Sequence, residues 1–310
     1  KKIAVIGTGV IGSGWIIRFL AHNKKVIAYD KDKKLKNKII KDIKLSWPFV
    51  KKLFNKKKLN LKNFKYVTSL KESLKEADFV QECAPENYKL KISLMKEIGK
   101  YSKSNIIISS SSSGLLPSKI YSKCINPSRA IIAHPFNPVY MLPGVEIVPG
   151  TKTKVKYLNK AKKFYKSVSM NPIMIKKELP GYLSDRLQEA LWREALHIVN
   201  EGYATTKDLD RAIEDGPGMR WSLMGTFLTF HLAGGSAGMK HMLKQFGPAL
   251  KLPWTKLKAP KLTKKLSNRV IKGTRKQAKG KTVAEISKIR DEFLLNLQKM
   301  RKKYENKIRK

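Results

Sequence analysis

The 310-residue chain predicts an α/β fold, an N-terminal doubly wound sheet followed by an all-helical C-terminal domain. Three observations lead there. Short β-branched runs without polar alternation, such as residues 2–6 and 105–108, suit parallel strands covered on both faces. Helical patterns separate these runs as far as about residue 175. Beyond Pro180–Gly181 only helical periodicity remains, which divides the chain into expected domains 1–179 and 180–310.

The elements follow in order. The strand over residues 2–6 runs into Gly7-Thr8-Gly9-Val10-Ile11-Gly12: glycines for a tight turn, for backbone approach to a pyrophosphate, and for close helix packing. A helix from Gly14 to about Asn23 would aim its N–H groups at that phosphate. The next strand, 25–30, ends in Asp30, spaced to hold the adenosine ribose diol. This strand, glycine turn and helix is a Rossmann-like arrangement, and it predicts a dinucleotide site. Asp30 would repel a 2′-phosphate, which favours NAD over NADP, although Lys31 and Lys33 lie close by.

Residues 31–62 then read as a helical excursion interrupted at Pro48. Strands are expected at 66–67, 78–82, 105–108, 130–134, 145–148 and 173–175, with helices at 70–77, 89–101, from Pro117, and at 152–169. After the Pro180–Gly181 hinge, Leu183, Leu187, Leu191, Ala195 and Ile198 recur on one helix face, and Thr205 or Thr206 caps the next helix. The last thirty residues, through Val283, Ile286, Ile289, Phe293, Leu297 and Met300, read as an amphipathic helix with a basic tip.

Composition narrows the class. The formal charge of +43 invites a nucleic-acid partner. However, lysine outnumbers arginine 55 to 11 and is scattered, and no basic stretch carries stacking aromatics, so no nucleic acid is expected. Residues 178–215 depart from this drift, with nine acids against four bases. No apolar run approaches the roughly 20 residues of a membrane span, and strand one starts at residue 2, so neither a membrane segment nor a signal peptide is expected. Cys83 and Cys124 alone, without metal-ligand spacing, read as small buried hydrophobes in a reducing cytoplasm. No metal site is expected.

His134 ends a strand at the carboxyl edge of the sheet, where open α/β folds bind ligands, and an imidazole suits general base work. Glu146, twelve residues on, starts the neighbouring strand and would accept the other ring N–H.

Three segments together resemble the 3-hydroxyacyl-CoA dehydrogenase superfamily: Gly7–Gly12; Ser109–Gly114 with His-Pro-Phe-Asn-Pro at 134–138 and Glu146; and Pro-Gly-Tyr-Leu-Ser-Asp-Arg-Leu at 180–187. The resemblance implies NAD-dependent oxidation of a 3-hydroxy acid, with His134 as general base, Glu146 as its orienting carboxylate and Ser113 bonded to the reacting oxygen. It also implies Gly7, Thr8, Gly9, Val10, Ile11, Gly12, Asp30 and Glu82 at the cofactor, with Glu86 a further matching acid. Many relatives have Asn at the place of Asp185. The segments at 113–118, 134–140, 189–197, 218–235 and 245–254 resemble the branch acting on L-carnitine, whose carboxylate and quaternary ammonium flank the hydroxyl. A quaternary ammonium donates no hydrogen bond and is held by aromatic faces and carboxylates. Trp192 and Trp221 are the candidates for that role, Asp185 either joins them or pairs with Arg186 or Arg193, and Arg220, or else Arg193, is the candidate for the substrate carboxylate. Alternative readings are L-gulonate or 3-hydroxybutyrate as substrate, or a non-catalytic Rossmann protein. Apolar surface at 183–198 and 219–232 suggests a homodimer.

Overall fold

The computed structural model describes the chain except positions 57, 224, 249–251, 257, 259, 260, 262, 270, 272–278, 309 and 310, and the backbone alone at 235, 283, 284, 286, 287, 290 and 304–308. Met224 and residues 249–251 of the substrate-like segments therefore lie outside the described residues, as do the side chains of Val283 and Ile286. Two compact units form, Lys1–Arg186 and Leu187–Lys310.

The first unit is built on eight strands: β1 (Lys2–Ile6), β2 (Lys25–Tyr29), β3 (Phe64–Val67), β4 (Phe79–Glu82), β5 (Ile107–Ser110), β6 (Ala130–Pro135), β7 (Gly144–Pro149) and β8 (Asn171–Met174). Their order in the sheet is β3-β2-β1-β4-β5-β6-β7-β8. Every neighbouring pair is parallel except β6 with β7.

Alternation along the strands sends side chains to two faces. Ile3 and Val5 join a core with Trp15, Phe19, Ile43 and Phe164, whereas Ala4 and Ile6 join another with Leu74, Met95, Ile98 and Tyr182. Helices α1 (Val10–Ala21), α2 (Leu35–Leu53), α3 (Leu70–Lys75), α4 (Tyr88–Tyr101), α5 (Pro117–Ile120) and α6 (Val155–Lys166) cover the sheet. The helix expected from Gly14 already starts at Val10, so the end of the glycine turn, residues 10–12, lies in its first turn. The excursion expected to break at Pro48 is one helix that runs through it. Ile39, Ile43, Ser46 and Val50 continue one buried stripe across the proline, and their packing outweighs the roughly 3 kcal/mol that an interior proline costs.

Residues 180–186 fold with the first unit. Gly181 takes a positive φ of 70°, its amide bonds Gly114 O, and Tyr182 Oη donates to Leu115 O at 2.6 Å. The second unit is helical: α7 (Ser184–Glu201) continues into it, followed by α8 (Thr206–Glu214), α9 (Pro217–Trp221), α10 (Thr226–Ala233), α11 (Gly238–Phe246) and α12 (Val283–Ile308). Thr205 and Asp208 form a reciprocal cap on α8. On α12 the expected apolar face is corrected: Ile289, Phe293 and Met300 are exposed, and among the described side chains Leu295 and Asp291 are the buried ones.

Candidate functional site

A cleft of about 920 Å³ opens in the first unit at the carboxyl ends of β1 and β4, with β6 closing one side. Gly7, Thr8, Gly9, Val10 and Ile11 form its floor, and Asp30 stands at the end of β2. Each glycine does something different. Gly7 has φ 91° and lies against the Cys83–Ala84 backbone, Gly12 leaves no room for a Cβ beside Gly7 O, and a Cβ at Gly9 would meet nothing within 4 Å. The open space over Gly9, at the N-cap of α1, is the cradle that a pyrophosphate needs. Thr8 fixes Asp30 by donating to Oδ2 from its amide at 2.9 Å and from its hydroxyl at 2.8 Å. Leu35, Leu70, Leu90 and Leu94 line the far end, an apolar slot suited to an adenine ring. These residues fit a dinucleotide.

At the other end stand Ser113 and His134. His134 and Glu146 are a directly opposed pair in the antiparallel β6–β7 ladder, so pleating puts both side chains on one face. His134 Nδ1 lies 2.8 Å from Glu146 Oε2. Glu146 Oε1 accepts from the amides of Leu183 (3.1 Å) and Ser184 (3.0 Å), and Oε2 from the Ser184 hydroxyl (2.7 Å). Burial pushes the Glu146 carboxyl up, but bonds from His134 and Ser184 more than reverse this and hold it below its ordinary value. An ionised carboxylate only accepts, so in the neutral ring the proton sits on Nδ1 and Nε2 carries the lone pair. Asp185 Oδ1 is 3.9 Å from that Nε2.

The serine run after β5 is shaped by charge. Glu86 accepts from the Ser112 hydroxyl (2.5 Å) and from the amides of Ser113 (3.0 Å) and Gly114 (3.1 Å). Burial raises the Glu86 carboxyl, yet Ser112, Lys91 and these amides leave it lowered. Glu82, expected among the cofactor contacts, is fully buried and is not a cleft wall. Its oxygens take Lys91 Nζ at 2.9 and 3.1 Å, the Ala84 amide at 2.6 Å, and the Ser110 hydroxyl. The β4 pleat turns this side chain into the protein, and Glu86 lines the cleft instead.

Sequence reasoning overlooked Lys91, although the buried α4 stripe Lys91, Met95, Ile98 and Gly99 places this one lysine on an apolar face. It also overlooked Arg18, whose guanidinium binds the carbonyls of Val139 (2.7 Å), Leu142 (2.9 Å), Val168 (3.0 Å) and Ser169 (2.9 Å). Burial lowers Arg18 to about 9, and its bonds tie the segment after His134 to α1. The expectation for Cys83 is corrected too: it lines the cleft, with its thiol 3.3 Å from Ser111 Oγ and pushed by burial up to about 12. Cys124 is buried as expected. Trp192, on α7, and Arg220 and Trp221, on α9, belong to the second unit and are exposed there.

Residues 2–179 match the 3-hydroxyacyl-CoA dehydrogenase NAD binding domain, and residues 181–280 match the C-terminal domain of the same enzymes. The chain belongs to the 3-hydroxyacyl-CoA dehydrogenase family and binds NAD. Within the family it is similar over nearly its whole length to proteins named L-carnitine dehydrogenase. That of Oceanobacillus iheyensis is 52% identical, with 96% of this chain and 97% of the relative covered. That of Bacillus cereus is 47% identical, covering 98% and 93%. Among solved structures, FHMPC 5-dehydrogenase, described as an NAD+-dependent dismutase, superposes with TM-score 0.83 over 97% of this chain and 98% of its own, at 23% identity; that likeness concerns the fold alone. No helix among the described residues is long and apolar enough to cross a membrane.

Proposed function

We propose that this chain oxidises L-carnitine to 3-dehydrocarnitine with reduction of NAD. The observation that carries the reaction type is the His134–Glu146 pair at one end of the dinucleotide cleft. The full-length likeness to L-carnitine dehydrogenases supports the substrate. When bound, NAD supplies the hydride acceptor.

His134 Nε2 takes the proton of the carbinol hydroxyl. Glu146 keeps the ring in the tautomer that leaves Nε2 basic, and it offsets the positive charge that the ring then acquires. The Ser113 hydroxyl donates to the reacting oxygen and holds it against the base. Gly7, Thr8, Gly9, Val10, Ile11 and Gly12 receive the pyrophosphate, and Asp30 accepts from the free ribose diol. Glu82 acts on the site through Ser110, keeping the serine loop in register.

We place the enzyme in the cytoplasm, since its two cysteines are free thiols and such thiols persist in a reducing compartment. It acts as a homodimer through the second unit, where Leu187, Phe227 and Phe293 are exposed at 71%, 84% and 62%, an amount of open apolar surface that favours burial.

The test is NADH formation from L-carnitine beside 3-hydroxybutyrate and L-gulonate. Turnover of L-carnitine at the highest kcat/KM is expected. Preference for either other acid would overturn the substrate.

A further inference from the structure

Proton transfer uses one carboxylate at the base, yet two face it. Glu146 holds Nδ1, while Asp185 Oδ1 stands 3.9 Å from Nε2, the nitrogen that receives the proton. Glu146 is buried, with its oxygens turned to His134 and to the start of α7. Asp185 keeps 32% of its side chain exposed, so it is a charged group open to a substrate at Nε2. Its place is fixed by the same contacts, because Leu183 and Ser184, bonded to Glu146, are the two residues before it. A carboxylate in the first turn of α7 is also favoured by the helix dipole.

A hydroxyl that gives its proton to Nε2 lies about 3 Å from it, and Asp185 flanks that same nitrogen. A substituent on the carbon beside the carbinol stays within a few ångström of the hydroxyl, and so within Coulomb reach of Asp185. A quaternary ammonium has no N–H and meets a carboxylate through charge rather than a hydrogen bond, which tolerates separations longer than about 3 Å.

We propose that Asp185 is a specificity-determining residue that selects substrates carrying a cationic group, a quaternary ammonium, on the carbon next to the carbinol. This rests on the carnitine reading above and gives the cation a carboxylate partner at the base. A carboxylate that served only to stabilise the protonated ring would affect charged and neutral substrates alike; a selector separates them.

The experiment compares two shape-matched probes in the presence of NAD, 4-trimethylammoniobutyrate and its uncharged carbon isostere 5,5-dimethylhexanoate. Their binding to wild type, Asp185→Asn and Asp185→Glu is read by calorimetry. Wild type is expected to prefer the cation by at least about tenfold, a modest share of a close charge interaction. Asp185→Asn should lose most of that preference, and Asp185→Glu should retain it. Circular dichroism and unchanged NAD affinity certify that the variants are folded. The preference persisting in Asp185→Asn, or absent from wild type, overturns the proposal. Failure of the carnitine reading has a separate signature: wild type that binds the cationic probe preferentially but does not turn over L-carnitine.

Discussion

Glu146 is bonded from two sides, by the His134 ring and by the first residues of α7. Its loss therefore acts on the ring and on α7 together. The carboxyls of Glu146 and Glu86 are both held below their ordinary value of 4.5. On acidification the unfolded chain takes up these protons before the folded one does. The stability they contribute is thus fully present above pH about 4.5 and is lost as pH falls through the lowered native values. Urea unfolding followed from about pH 7 to about pH 3 should show this loss, and Glu146→Gln should flatten it; an unchanged pH slope in the variant would contradict the assignment. His134 and Glu146 were legible in the sequence because one ends and the other begins a clear apolar run. What the sequence hid was the antiparallel pairing that opposes them, since β7 is as apolar as the parallel strands and nothing local marks its direction. The inward turn of Glu82 was hidden too, because a strand-end acid looks the same whether it faces solvent or a buried lysine.

The elements around the cleft are joined by buried charge. Lys91 reaches from α4 to Glu82 at the end of β4 and to Ala84 O at 2.9 Å, and Glu82 in turn holds Ser110 at the end of β5. Lys91→Met would leave the Glu82 carboxylate buried without its cation, a loss of about 3–5 kcal/mol. Denaturant midpoints at constant m-value measure it, and a change under about 1 kcal/mol, the range of an exposed ion pair, would contradict a buried role. Strand and helix order was readable because period-2 and period-3.6 patterns are local. Lys91 was not, since it is one of 55 lysines and only its register with Met95 and Ile98 separates it from a surface residue. The helix through Pro48 shows the same limit: a local breaker signal is overridden by a stripe packed on α1, and packing is a tertiary fact.

At the level of the molecule, the first unit contains the cleft and the paired histidine and glutamate, and the second unit presents exposed apolar side chains on α7, α10 and α12. Sedimentation velocity should find a dimer of the 35.3 kDa chain, whereas a monomer at all concentrations would leave those faces unexplained. The high positive charge did not obscure the fold, because net charge governs solubility and encounter, whereas the fold follows from apolar patterning. The acidic segment 178–215 contains Asp185, the Thr205–Asp208 cap and the Glu201 partner of Lys256, so several of its acids have definite contacts.

The central claim is that L-carnitine is oxidised by hydride loss to NAD while His134 accepts its hydroxyl proton, and the most direct measurement is NADH formation from L-carnitine by wild type beside His134→Gln. Expected are steady turnover in wild type and a fall in kcat of about 10²–10⁴ in the variant, with NAD affinity retained. No turnover in wild type, or a variant as fast as wild type, would contradict it.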